Sequence, residues 1–155
     1  MPSSPEDANP LTIRCQCGYI SFPTPTPRPI TLYHCHCVSC QRQSGSAFGT
    51  SAIFPSAGLF PLSPHLASRL KVFRRPTNAG RSADCYFCPE CGCRVMHRIV
   101  GADGTPRASV SVKGGCVVGG LEWAGAAHIF VREAVMKIPL EWEQYDGLPP
   151  WIKMD

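Results

Sequence analysis

The chain has 155 residues, with 15 basic and 11 acidic side chains and a formal net charge of +4. Hydrophobic residues make up 44% and charged residues 17% of the chain, which supplies one core and excludes a long disordered chain. Ten cysteines, sixteen prolines and fourteen glycines argue against a long helical bundle.

The chain opens with a polar, proline-interrupted stretch over residues 1–10, which predicts a disordered lead-in before a single domain over residues 11–155. Helical periodicity is weak throughout, and we expect one or two turns over residues 37–44 and one turn over residues 121–123. Strand-like segments are predicted at residues 19–22, 30–34, 48–54, 70–73, 85–87, 95–100, 108–112 and 128–131, and several of them show period-two alternation. The pattern predicts an all-β fold with little helix.

Two stretches between these elements are read as connections. Prolines occupy every second position over residues 23–29, which does not give the P-x-x-P register of partner-binding segments and predicts a stiff loop. The glycine-rich residues 113–125 match neither phosphate-binding loop pattern. We expect a wide turn there.

The chain contains no apolar run of the roughly 18–20 residues that cross a bilayer, so no membrane partner is expected. Its start lacks the basic and apolar regions of a secretory signal, which favours a cytoplasmic, reducing setting. In that setting, clustered cysteines are interpreted as metal ligands before disulfides. The basic residues are scattered, so no nucleic-acid partner is expected either.

Two cysteine pairs carry the pattern of a structural metal site. C-x-x-C followed by glycine is typical of a zinc knuckle, and C-x-C places two thiols on one face of an extended segment. Tetrahedral zinc takes four ligands, which the pairs Cys15 with Cys17 and Cys88 with Cys91 would supply together. The alternative is a set of buried free cysteines.

A third group, Cys35, Cys37 and Cys40, places three thiols within six residues. Three protein ligands with one open position distinguish catalytic zinc from structural zinc. Such a site suits the binding of an external thiol better than the formation of hydroxide, because three thiolates leave the ion less acidifying. The alternative is that Cys85, Cys93 or Cys116 closes the site as a second structural centre.

The histidines leave alternatives open. His36 lies inside the third group and is either a proton donor next to the metal ligands or an exposed loop residue. His34 and His128 lie in apolar segments and are interpreted as core histidines rather than ligands. His65 and His97 give no signal.

These motifs resemble those of the glutathione-dependent formaldehyde-activating enzymes and their centromere-protein-V-like relatives. The resemblance covers nearly the whole chain, from about Cys15 to Trp151. The matching segments are Cys15-Gln-Cys17-Gly18, Cys35-His36-Cys37-x-x-Cys40, Ser44-Gly45-Ser46-Ala47-Phe48, Phe87-Cys88-x-x-Cys91-Gly92, and His128-Ile129-Phe130-Val131 followed by Leu148-Pro149.

The resemblance implies an irregular two-sheet, Mss4-like β fold organised around zinc. It also implies structural zinc on Cys15, Cys17, Cys88 and Cys91, and a labile catalytic zinc on Cys35, Cys37 and Cys40. The implied activity is the condensation of glutathione with formaldehyde to S-hydroxymethylglutathione, formally a carbon–sulfur lyase running in reverse. The chain departs from the pattern at Gln41, where an arginine is expected, in the proline run, and in its three extra cysteines.

We therefore expect a zinc-dependent carbon–sulfur lyase that acts on a small-molecule thiol, with glutathione as co-substrate, and on a carbonyl compound. Ser44 and Ser46 are the candidates for orienting the adduct. The alternatives are a related lyase or dehydratase acting on a larger carbonyl compound, and a non-catalytic zinc scaffold that binds partners. The sequence leaves a homodimer open.

Overall fold

The computed structural model describes residues 9–77 and 79–152. Its strands are β1 (Thr12–Arg14), β2 (Ser21–Pro23), β3 (Thr31–Cys35), β4 (Gly49–Pro55), β5 (Lys71–Pro76), β6 (Ser82–Phe87), β7 (Arg94–Val100), β8 (Ser109–Lys113), β9 (Val117–Val118) and β10 (Ala127–Ile129). The helices are α1 (Val38–Ser44) and α2 (Pro64–Arg69), with short 3-10 turns at Gly114–Cys116 and Val131–Glu133. The fold is mostly β, as the sequence predicts.

The strands form two sheets. A seven-stranded sheet has the order β10-β3-β4-β8-β7-β6-β5, and a three-stranded sheet has the order β2-β1-β9. The pair β10–β3 is parallel, whereas the other pairs of the large sheet are antiparallel. All eight predicted strands are present, and the end of a strand differs from its predicted position by at most three residues.

The two faces of the large sheet differ in chemistry, because side chains alternate along each strand. Leu32 pairs with Ala52, and Ala52 with Val112, which places all three on the face that forms the main core. The next residues along, Tyr33, Ser51 and Lys113, also lie directly opposite one another but on the other face. That second face carries buried polar groups.

The small sheet brings Cys15 to the main core, whereas Cys17 is exposed. Ile13 is fully buried and pairs with Val117, so β9 holds β1 against the main core. The predicted wide turn over residues 113–125 is wrong in part, because this stretch contains a 3-10 turn and β9. The turn predicted at residues 121–123 is not helical.

The predicted stiff loop over residues 23–29 begins with the last residue of β2 and is otherwise irregular. The threonines between the prolines stabilise this loop through side-chain hydrogen bonds. The hydroxyl of Thr24 donates to Thr26 O at 2.7 Å and accepts from the backbone N–H of Leu11 at 2.9 Å. The Thr26 hydroxyl donates to Arg28 O at 2.7 Å.

Two further predictions fall partly outside the described residues. The lead-in over residues 1–10 falls mostly on residues 1–8, which lie outside them; Asn9 and Pro10 are exposed. The single domain over residues 11–155 ends on residues 153–155, which also lie outside them. In the described part of the chain, no helix combines the length and hydropathy needed to cross a membrane.

Candidate metal centre

The fold brings the two predicted cysteine pairs together in one four-cysteine cluster. The ligand sulfurs of Cys15, Cys17, Cys88 and Cys91 all lie within 4.8 Å of one another. The Cys15–Cys17 Sγ distance is 3.6 Å and the Cys17–Cys88 Sγ distance is 3.8 Å. A tetrahedron with Zn–S bonds of about 2.3 Å has edges of about 3.8 Å, so the donor set fits zinc.

Backbone groups favour thiolates in this cluster. The N–H of Ile20 points at Cys15 Sγ at 3.2 Å, and the N–H of Tyr19 points at Cys17 Sγ at 3.5 Å. Backbone N–H groups of Cys17 and Cys93 lower the pKa of Cys91 to about 6. Gly18 has a φ of 83°, which allows the turn after the first pair.

The second cluster lies where β3 runs into α1. Cys35 is the last residue of β3, Cys37 is the N-cap of α1, and Cys40 lies in the first turn. Their sulfurs lie within 4.8 Å of one another, and the backbone N–H of Cys40 points at Cys37 Sγ at 3.4 Å. The strand-to-helix turn therefore gathers the three thiols.

The charge on this trio calls for a cation. Hydrogen bonds from Cys35 and Cys40 lower the pKa of Cys37 to about 2, while the same sharing raises the pKa of Cys35. Without a metal ion, the trio therefore concentrates its negative charge on one sulfur. Cys35 and Cys40 are buried and Cys37 is half-buried, so ionising all three thiols at this place would require a compensating cation. The donor set fits zinc.

Among the described residues, no fourth Cys, His, Asp or Glu joins the trio within that spacing. The three extra cysteines lie elsewhere. Cys85 is buried in β6 and donates to Ala83 O, while Cys93 and Cys116 contact each other with an Sγ–Sγ distance of 3.6 Å. The geometry thus gives no support to closure of the trio by Cys85, Cys93 or Cys116.

Gln41, which replaces the expected arginine, fastens the loop that carries the trio. Its side-chain amide donates to His36 O at 2.6 Å and to Glu133 O at 2.9 Å. The Glu133 carboxylate accepts the backbone N–H of Val38 at 2.9 Å, at the start of α1. The trio is therefore anchored to the segment that follows β10.

His36 is fully buried, so the alternative of an exposed loop residue is wrong. Its ring lies against Phe48 and His128, with centroid distances of 5.0 and 5.2 Å, and its Nε2 lies 2.9 Å from His128 Nδ1. His34 stacks on Trp123 at 5.7 Å in the same layer. Burial lowers the pKa values of all three histidines, which favours neutral rings.

The serines of the following loop differ in position. The Ser44 hydroxyl donates to Cys40 O at 2.7 Å, back across one turn of α1. Ser46 is exposed, and its backbone N–H donates to Gln41 O at 3.2 Å. A role for either hydroxyl in orienting a substrate stays a prediction.

A cationic surface that the sequence did not reveal lies on the sheet face of Tyr33, Ser51 and Lys113. Lys113 is only 7% exposed. Its charge acts on Cys40, and that of Arg75 acts on Cys37. His97 lies near Lys113, Arg75, Arg94 and Arg107, and burial followed by these charges holds its pKa well below the usual range. We call Tyr33, Ser51, Arg75 and Lys113 the basic face.

Alternation along β8 places Lys113 on one face with Ser109 and Ser111, but only the strand pairing shows what lies opposite them. The sequence alone therefore predicts which β8 side chains share a face with Lys113, but not what lies opposite them. Its position beside the trio depends on the register of β3, β4 and β8, which the sequence alone does not give.

Comparisons with known proteins agree with this arrangement. The family profile described as "Glutathione-dependent formaldehyde-activating enzyme" matches residues 10–133, which include all seven cysteines of the two clusters. A Sordaria macrospora protein named "Putative glutathione-dependent formaldehyde-activating enzyme" is 32% identical over 103 residues, covering 63% of this chain and 40% of that protein. The chain thus spans about two fifths of the length of the curated relative it matches. By the extent of the profile match, the chain belongs to the glutathione-dependent formaldehyde-activating enzyme family.

Proposed function

We propose that this protein is a zinc-dependent enzyme of the carbon–sulfur lyase type that forms the adduct of glutathione and formaldehyde. The observation that carries the proposal is the trio of Cys35, Cys37 and Cys40, which has no fourth ligand among the described residues. Family membership and the printed name of the Sordaria relative support glutathione and formaldehyde as the substrates.

The two clusters have different roles in this proposal. Cys15, Cys17, Cys88 and Cys91 supply four ligands and hold a structural ion, whereas the trio supplies three and holds the catalytic one. When bound at the trio, zinc supplies positive charge that stabilises a substrate sulfur as thiolate. Gln41 and Glu133 keep the trio's loop in place.

The basic face is proposed to hold the substrate thiol. Glutathione carries two carboxylates, and Lys113 and Arg75 place positive charge beside the trio on the same side of the sheet. Gly49 pairs with Cys35 and leaves little room beside Cys40, because a Cβ there would lie 3.1 Å from Cys40 Cβ. Gly49 therefore lets β4 pack closely against α1.

The chemistry needs no oxidant. A carbon–sulfur bond forms between the thiol sulfur and the carbonyl carbon, the C=O π bond breaks, and the thiol's proton ends on the carbonyl oxygen. We assign orientation of the adduct to Ser44 and Ser46, and proton transfer to His36 through its contact with His128. Holding the two reactants together accounts for rate enhancement.

The experiment combines zinc stoichiometry with an assay for loss of free thiol when glutathione and formaldehyde are mixed with protein. Cys37→Ser should lower the zinc content and abolish the rate above the uncatalysed background. The matched control is Cys85→Ser, which changes a buried cysteine outside both clusters and should retain activity. Equal rates for wild-type protein and Cys37→Ser would contradict the proposal.

A larger carbonyl substrate would require a broad cavity at the trio. Two cavities, of about 480 and 420 Å³, are lined by residues including Arg28 with Glu122 and Lys137 with Leu140, and neither is lined by a cysteine of the trio. Replacing formaldehyde with a larger carbonyl compound in the same assay tests this alternative. A pure scaffold role gives no reason for an incomplete ligand set.

The proposal includes a reducing, cytoplasmic setting, because glutathione is abundant there and clustered cysteines serve as ligands. It names only small-molecule partners, a thiol and a carbonyl compound. Whether the enzyme acts as a monomer or as a homodimer is tested by its mass in solution.

A further inference from the structure

Two cysteines outside both metal clusters lie side by side. Cys93 precedes β7 and Cys116 precedes β9, and their sulfurs are 3.6 Å apart across 23 positions of sequence. Both thiols point at a single acceptor, the carbonyl of Arg94, at 3.9 Å from Cys93 and 3.5 Å from Cys116. Neither belongs to the ligand groups of the described residues.

We propose that Cys93 and Cys116 are a dithiol site that is oxidised to an intramolecular disulfide by low-molecular-weight disulfides. The proposal does not depend on the enzyme's substrate. It rests on the approach of the two sulfurs, which need to close by about 1.5 Å to reach a bond of about 2.05 Å, and on their unequal exposure.

The exposure sets the order of the two steps. Cys93 is partly exposed, while Cys116 is 7% exposed. The Cys93 sulfur attacks an external disulfide such as glutathione disulfide, forms a mixed disulfide and releases one thiol. The Cys116 sulfur then attacks the Cys93 sulfur, which forms the internal bond and releases the second thiol. One external disulfide is reduced to two thiols while two protein thiols become one disulfide.

The bond would join two parts of the fold that hold the structural cluster. The backbone N–H of Cys88 donates to Cys93 O at 2.9 Å, so Cys93 is part of the turn that carries Cys88 and Cys91. Cys116 leads directly into β9, which pairs with β1, the strand before Cys15. A disulfide would therefore link the β9 side of the cluster to its Cys88–Cys91 turn and slow loss of the structural ion.

The test treats zinc-loaded full-length protein with glutathione disulfide, alkylates remaining thiols in acid, and identifies linked tryptic peptides by mass spectrometry. The expected product links the peptide of residues 82–94 to that of residues 114–132, with loss of two hydrogens and full retention of zinc. The link should persist in Cys85→Ser and vanish in Cys93→Ser and in Cys116→Ser. Because the peptide of residues 82–94 holds four cysteines, the Cys93→Ser variant assigns the link to Cys93.

Three outcomes would overturn the proposal: a stable glutathione adduct on Cys93 without the internal link, a link that persists in Cys93→Ser, and a link that forms only as zinc is released. A second measurement follows zinc transfer to a chelator. The oxidised protein should lose its more tightly held ion at least threefold more slowly than the reduced protein, and equal rates would contradict the structural role. Failure of the formaldehyde assay would affect neither result.

Discussion

At the scale of single residues, Lys113 combines burial with charge. A buried ammonium is costly unless it contacts a partner, and the Lys113 charge acts on Cys40 of the trio, where it favours the thiolate. In the proposed reaction it also meets a carboxylate of the substrate.

Lys113→Met should therefore raise KM for glutathione at least about tenfold, because a hydrogen bond to a charged group contributes about 1.5–3 kcal/mol. It should change KM for the neutral thiol 2-mercaptoethanol by much less. Lys71→Met, which removes an exposed lysine of β5, is the control and should leave both values unchanged. Equal losses for both thiols would show that Lys113 acts on the trio rather than on the substrate.

His97 couples stability to pH. Burial and the charges of Lys113, Arg75, Arg94 and Arg107 lower its folded-state pKa, so below the unfolded value of about 6.5 the unfolded chain binds more protons. The free energy of unfolding should therefore fall as pH drops from 7 to 5. His97→Gln should show a shallower fall in urea titrations at matched zinc content, and parallel curves would contradict this account.

At the scale of elements, the loop from His36 to Gln41 depends on side-chain contacts with residues about ninety positions away. The Gln41 amide satisfies two carbonyls at once, and one of them belongs to the segment after β10. Groups that orient metal ligands typically change metal affinity by 10–100-fold.

Gln41→Ala should weaken zinc binding at the trio by about tenfold, measured by chelator competition, while the four-cysteine cluster keeps its ion. Arg42→Ala changes the neighbouring exposed position of α1 and is the matched control. Equal affinities in wild-type protein and Gln41→Ala would show that helix α1 positions the trio without help from Gln41.

An element can be predicted from the sequence when its pattern is local, and not when it is defined by its contacts with distant residues. The strand at residues 95–100 shows its alternation locally, and the C-x-C and C-x-x-C spacings indicate candidate ligands without any structure. β1 and β9 were missed because they have three and two residues and are defined by pairing with each other. α2 was missed because it buries only Leu66, although Ser63 and Pro64 supply a start signal.

At the scale of the whole molecule, the structural cluster connects the small sheet to the turn before β7. Cys88 is fully buried and belongs to the main core, as does Cys15. Because the free energy of metal binding becomes free energy of folding, the ion proposed for this cluster would stabilise the whole domain.

Cys88→Ser should lower the melting temperature by ten degrees or more, by analogy with the loss of several kcal/mol on removing a structural metal site. Cys37→Ser should shift it far less while removing activity. Circular dichroism melts with zinc analysis distinguish the two variants, and equal melting temperatures would contradict the division of roles.

The basic face and the packing of His34, His36 and His128 could not be predicted from the sequence. Lys113 and Cys40 are 73 positions apart, and His36 and His128 are 92 apart, so no local pattern joins them. The family resemblance picks out the two cysteine groups that the fold brings together, because their spacing can be read from the sequence. It did not predict which charges lie beside them.

The parallel pairing of β10 with β3 bears on the order of events during synthesis. Ile129 lies opposite Cys35 and accepts the N–H of His36, so the walls of the trio come from both ends of the translated message. Residues 35–36 are synthesised long before Ile129. In the proposed function, the metal site at the trio therefore takes its final shape only after β10 has been synthesised.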